Sequence, residues 1–144
     1  MSKDVLISIQ SVQHLDGRDN DGLELITQGS YDYASDGIRF SYMESELTGL
    51  DGTQTTFQIF PEEVILSRRG TVNAQMVFRR GEKRSFRYRT QMGALNMSLN
   101  THRLEYALDE HGGNMEIEYD LDFEHSFLSR NKFIINVREK ELKS

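Results

Sequence analysis

In the stretch SDGIRFSYMESELTG, residues 35–49, Ile38, Phe40 and Tyr42 alternate, and the same spacing carries Glu44 and Glu46 onto the apolar side. A carboxylate turned toward a core is costly unless a cation or hydroxyl groups meet it. Folding the neighbouring segments back on one another supplies both. Thr27, Glu44, Thr55 and Arg68 then fall in one row across four adjacent strands, all on the inner face. The spacing predicts the Glu44 carboxylate within salt-bridge or one-water distance of the Arg68 guanidinium, with Thr55 between them. Two kinds of chemistry fit such a set. Glu44 and Arg68 can form an internal polar bridge that fixes strand register, with Glu46 at the mouth. Alternatively, Glu44, Glu46, Thr55 and Arg68, with Tyr42, Arg84 and Tyr88, line a cavity and orient a small polar or amphipathic ligand.

Other polar groupings carry less. In NMEIEYDLDFEH, Glu116, Glu118, Asp120, Asp122 and Glu124 share one face at spacings of about 7 Å, too wide for one hard cation. They read as a solvent face paired with Arg87, Arg89, Arg103 and Arg138, and no metal site is expected. DGRDNDG, residues 16–22, fails as a calcium loop, since Gly17 and Gln28 stand where acidic ligands belong. FRRGEKRSFRYR, residues 78–89, interleaves basic and aromatic residues, but Phe86 and Tyr88 alternate inward while Arg87 and Arg89 point out. With a formal charge of −6, nucleic acid is a disfavoured partner. His14, His102, His111 and His125 have no metal-ligand spacing, and no nucleophile–base order or phosphate loop is legible. No catalytic residues and no cofactor are assigned, and an enzyme ranks below a binding barrel.

The elements that must position these residues are strands. One Pro among 144 residues, with many Asp-Gly, Gly-Gly and Arg-Gly pairs, suits hairpins, and no stretch has helical periodicity. Apolar alternation marks strands at 4–14, 22–34, 38–47, 53–60, 63–69, 71–79, 83–90, 94–109, 114–127 and 131–139. Hairpin folding sets Tyr31 opposite Phe40, Gly29 opposite Tyr42, Phe40 against Ile59, Phe57 against Leu66 and Ile59 against Val64. It also sets Met76 against Phe86, Phe78 against Arg84, Tyr88 against Leu95 and Phe86 against Met97. Across DEHGGN, Leu108, Tyr106 and Leu104 face Met115, Ile117 and Tyr119, whereas Leu95, Met97 and Leu99 have the opposite parity. One extra residue restores the match, so a β-bulge is expected around Thr101–Arg103, with Leu99 near Phe123. Pairing of the first and last strands removes the free edges. The expected fold is all-β, an antiparallel up-and-down meander barrel of about 8–10 strands in a single domain over 1–144. A flat two-sheet sandwich is the alternative.

YMESELTG followed by TQTTFQI, RRGTVNAQMVFRRG and YRTQMG resembles the YwiB-like domain-of-unknown-function family of bacterial cytoplasmic proteins. The resemblance spans nearly the whole chain, with ESELTG and NAQMVF its most specific blocks. It implies a calycin (lipocalin-type) β-barrel and no established activity. Gln91 stands where that family usually has a proline, so the tip of this turn is expected to differ. The start of the chain has no signal-peptide pattern and nothing approaches the ~18 apolar residues of a membrane span, so a cytoplasmic protein with no membrane partner is expected. The functional expectation is a non-enzymatic barrel that binds a small molecule. Arg, Glu and Tyr groups hold its polar end, and Phe40, Phe57, Met76, Phe86 and Met97 its apolar part. The alternative is a filled barrel acting as a protein-interaction or structural module, monomeric or dimeric through a barrel side.

Overall fold

The computed structural model describes residues 2–15 and 18–140. The described residues form ten strands: β1 (Ser2–Leu15), β2 (Arg18–Ala34), β3 (Gly37–Met43), β4 (Gln54–Phe60), β5 (Glu63–Arg69), β6 (Ala74–Phe78), β7 (Lys83–Thr90), β8 (Gly93–Asp109), β9 (Gly112–Phe123) and β10 (Ser126–Glu139). A 3-10 turn, Glu46–Thr48, lies between β3 and β4. All pairings within the ladders are antiparallel, in the order β6-β5-β4-β3-β2-β1-β10-β9-β8-β7. The result is a nearly closed up-and-down meander barrel. The first and last strands pair over ten residues, from Val5 with Glu139 to His14 with Arg130, so neither is a free edge.

Alternation sets the inside. Val5, Ile7, Phe40, Val64, Leu66, Phe78, Leu99 and Ile117 are fully buried, and the inner face of every ladder contributes to one apolar core. Aromatic rings fill its centre. Phe40 stacks on Phe57 with centroids 4.9 Å apart, and Phe78 meets Tyr119 edge-on at 4.9 Å.

The bulge expected in the long strand is present. The β8–β9 register shifts between Thr101 and Arg103, His102 has no ladder partner, and Leu99 and Leu104 both pack toward the core despite their odd spacing. Two hairpins are displaced from expectation by two residues. Phe40 faces Phe57 rather than Ile59, and Tyr42 faces Thr55. Likewise Leu104 faces Ile117, Tyr106 faces Met115, and Leu99 faces Leu121 rather than Phe123. A slip of two keeps every side chain on its face, so alternation cannot detect it. Turn geometry decides it instead. β9 also ends earlier than expected, at Phe123, because Glu124 and His125 both take positive φ (48° and 69°) and form a two-residue hairpin turn. Of DGRDNDG, residues 16 and 17 lie outside the described residues.

The expected pairing of β6 with β7, Met76 on Phe86 and Phe78 on Arg84, does not form. Only Asn73 and Arg89 bridge the two, each N–H donating to the other's carbonyl at 2.9 Å. The seam of the barrel therefore lies between two consecutive strands joined by a short turn. Since Asn73 and Arg89 point their backbone groups across it, alternation aims the N–H groups of Gln75, Val77, Ser85 and Arg87 the same way. Those of Ala74 and Met76 point to β5. Amide exchange should therefore alternate along one strand, fast at Gln75 and Val77 and slow at Ala74 and Met76. Uniformly slow exchange through β6 would show that the seam is a continuous ladder.

Candidate functional site

Glu44 sits where β3 leaves the sheet. Its N–H still donates to the Thr53 carbonyl at 2.8 Å, so it keeps the β3–β4 register and turns its side chain inward. Ser45 then ends the strand: its hydroxyl accepts from the Leu47 N–H at 3.3 Å and starts the 3-10 turn. Gly49 ends that turn with a left-handed φ of 76°, its N–H donating to the Glu46 carbonyl at 3.1 Å. The strand expected to continue to residue 47 thus stops at Met43, and Glu46 is exposed on the turn rather than on the inner face.

The Glu44 carboxylate is 2% exposed. Oε2 accepts from Thr55 Oγ1 at 2.6 Å and Oε1 from Thr48 Oγ1 at 3.1 Å. Arg68 Nε stands 4.0 Å from Oε2, with Thr55 paired to Arg68 on the adjacent strand, as the parity of the sequence requires. Arg68 Nε is itself buried and has no hydrogen-bond acceptor. Beside them is Tyr42, whose phenol is pushed far above its usual range by burial, reinforced by the Glu44 charge and opposed by Arg68. Tyr42, Glu44 and Arg68 line a cavity of about 420 Å³ at one end of the barrel.

The remaining expected residues are distributed differently. Thr55 is fully buried behind Glu44 as its hydrogen-bond donor. Thr27 donates instead to the Gln28 carbonyl. Arg84 and Tyr88 do not line the cavity. Arg84 faces Leu99 on β8, is 42% exposed at its side chain and bonds Glu82 at 3.1 Å, while Tyr88 pairs with Leu95 on a part of the β7–β8 ribbon that the core does not cover. Alternation missed Thr48 and the apolar wall of Ile9, Leu25, Leu47, Leu50 and Phe133. A Ser45-x-x-Thr48-Gly49 spacing, with a capping hydroxyl and a terminating glycine, is the local signal that exposes the turn.

The acidic face of β9 is paired, but with a different set of cations. Glu116 accepts from Arg103 Nη1 at 3.1 Å and Lys132 Nζ at 2.9 Å. Asp120 meets His102 at 2.8 Å and Arg130 at 2.9 Å, and Asp122 meets Lys83 at 2.9 Å. Arg103 is the expected partner that takes part; Arg87, Arg89 and Arg138 do not, because the bulge and the β9–β10 register bring other cations closer. The Lys132 hydrogen bond holds the Glu116 carboxyl below its usual range. Among the described residues, no group of three or more His, Asp or Glu could hold a metal ion.

A ten-stranded meander barrel with a polar cluster at one end is the class this geometry defines. The model of the domain of unknown function DUF1934 matches residues 7–135, and the chain belongs to that family. It is 26% identical over 117 residues to the uncharacterized beta-barrel protein YwiB of Bacillus subtilis strain 168, across 81% of this chain and 80% of that protein. The crystal structure of the ywiB protein from Bacillus subtilis matches with a TM-score of 0.87 at 23% identity, covering 97% of this chain and 94% of that one. At that identity the likeness speaks to the fold. Among the described residues, no helix is long and apolar enough to cross a membrane.

Two outcomes test the site's electrostatics. Glu44→Ala should cost about 3–5 kcal/mol in urea unfolding, because Arg68 then stands partly buried without its counter-charge. Adding Arg68→Met should recover part of that loss, so the double mutant is less destabilised than the sum of the singles. Strictly additive losses would mean the two groups do not interact. At alkaline pH, burial raises Tyr31 and Tyr119 to about 12 and Tyr42 higher still. The unfolded chain releases those protons near pH 10 while the folded one retains them. Stability is therefore intact below pH 10 and falls above it, by roughly 1.4 kcal/mol per pH unit for each tyrosine. Tyrosinate absorbance from these three of the six tyrosines should rise together with loss of the β-sheet circular dichroism signal.

Proposed function

We propose that this calycin-type barrel is a non-enzymatic binding protein for a small amphipathic molecule, held at the open end rather than deep in the barrel. In this reading the ligand's seat is the end cavity and not the aromatic centre of the barrel. Phe40, Phe57 and Met76, expected to hold its apolar part, are packed against one another and their neighbours in the core. The end cavity is within the size range of small-molecule sites, and its wall combines a few polar groups with apolar side chains. The observation that carries the reading is the make-up of that wall, where Tyr42, Glu44 and Arg68 stand among Ile9, Leu25, Leu47, Leu50 and Phe133.

Native mass spectrometry of freshly purified protein is the test. The wild type should carry a bound small molecule, and Arg68→Met should lose it while keeping its circular dichroism spectrum. Wild-type protein that arrives bare, with only water in the end cavity of a crystal structure, overturns the reading. A second reading, a filled barrel that docks a protein, is favoured by one observation: Met92, Leu95, Phe127 and Leu128 are exposed near the β7–β8 and β9–β10 turns, Met92 at 98%.

A further inference from the structure

We propose that the open end of the barrel is where two copies of this chain meet, mouth to mouth about a two-fold axis. The proposal does not rest on the ligand reading, and its test uses no ligand. Its first ground is where apolar surface is left uncovered. The β3–β4 connection, the β7–β8 turn and the β9–β10 turn all lie at the end that holds Glu44. Among the described residues, most of the large apolar side chains left exposed stand at that end, with Met92 at 98% and Leu47 at 71% foremost. β8 meets β9 only from Met97, opposite Phe123, so residues 93–96 have β7 as their sole strand neighbour. The hairpin therefore stands past the end of β9, with Leu95 of its inner face exposed.

The second ground is charge. The β7–β8 hairpin carries Arg87 and Arg89, both exposed and neither paired with a carboxylate of the described residues. The β3–β4 connection carries Glu46 and Asp51 on either side of Leu47, both exposed and neither paired with a cation of the described residues. The carboxylates of β9, by contrast, have their cations within the chain. In the sheet order β5 and β6 separate the hairpin from the connection. Each of these two arms presents apolar side chains beside charge of one sign, and the other arm presents the opposite sign. A two-fold axis across the mouth, midway between the arms, sets the hairpin of each copy on the connection of the other and forms the contact twice. Burial of Leu47, Met92 and Leu95 drives the association, and the charges fix its register. A partner protein of one charge sign would match one arm and oppose the other. An anionic bilayer surface would attract the arginines and repel Glu46 and Asp51. A second copy answers both arms. Seated there, it also covers the end cavity, to which Leu47 and Leu50 contribute.

Light scattering on the full chain after size-exclusion chromatography should give twice the chain mass, with dissociation promoted by salt. Arg87→Glu with Arg89→Glu makes both arms acidic, and Glu46→Lys with Asp51→Lys makes both basic. Either pair should weaken the dimer roughly tenfold or more. Combining all four substitutions exchanges the two signs, keeps the net charge of the wild type and should restore the dimer. All four positions are exposed, so the circular dichroism spectrum should not change. A wild type that stays monomeric up to about 100 µM overturns the proposal. If that monomer sediments with phosphatidylserine vesicles, the rim belongs to a membrane surface instead. A dimer indifferent to either pair, or not restored by the exchange, has its interface elsewhere and overturns the proposal equally.

Discussion

The barrel depends on the ladder between its two chain ends. A ten-strand meander made only of hairpins would leave β1 and β10 as edges, each with a row of unpaired N–H and C=O groups. Ten antiparallel pairs between β1 and β10 remove both edges, so β1 is hydrogen-bonded on both sides along most of its length. The circle still has to be closed somewhere, and the mismatch is gathered between β6 and β7. There β6 is short, Ala74–Phe78, while β7 runs from Lys83 to Thr90 and continues into the longer β8. One bridge at Asn73 and Arg89 and the turn at the opposite end hold that seam. The two edges of the sheet are thus consecutive strands, β6 and β7, which the chain itself tethers.

The same residue types have opposite consequences on the two faces of this sheet. Outside, Glu116, Glu118, Asp120 and Asp122 are partly hydrated and are paired with Arg103, Lys132, Arg130, His102 and Lys83, so each ion pair contributes little by itself. Inside, one carboxylate has nowhere to go. Glu44 is committed inward by the pleat, and its stability rests on two hydroxyl donors and one guanidinium. Thr48 ties it to the 3-10 turn, since its hydroxyl also bonds the Ser45 carbonyl at 3.0 Å. Thr55 ties it to β4. The carboxylate thus couples the wall of the barrel to the turn that borders the cavity.

What the sequence made legible follows from one period. Side chains two apart share a face, so alternation was sufficient for the strand number, the inward placement of Glu44, Thr55 and Arg68, and the bulge at His102, where an odd spacing breaks the period. Quantities that leave that parity unchanged stayed hidden. Phe40 facing Phe57 rather than Ile59 is such a case, fixed by the 44–53 connection and not by the strands. Glu46 is the instructive error. Alternation extended β3 through it, while Ser45 and Gly49 carried local turn chemistry that overrides the period. The β9–β10 turn lacked even that signal, because Glu124 and His125 occupy positions where Asn-Gly is the usual pair. Nor does any residue pattern mark the seam, since β6 and β7 alternate as regularly as paired strands do.

That early end of β3 is also what makes room for a site. Had the strand continued to residue 47, Glu46 would have followed Glu44 inward and placed a second carboxylate over the first. Instead the chain turns out at Ser45, Glu46 faces water, and Leu47 and Leu50 come to the rim above the Glu44–Arg68 pair. On the facing strand, Gly29 stands opposite Tyr42, and a Cβ there would lie 2.6 Å from Ile7 Cδ1. The missing side chain lets the wall pack closely beneath Tyr42. A charge-balanced polar floor below an apolar rim is the order of surfaces that an amphipathic molecule entering head first would meet.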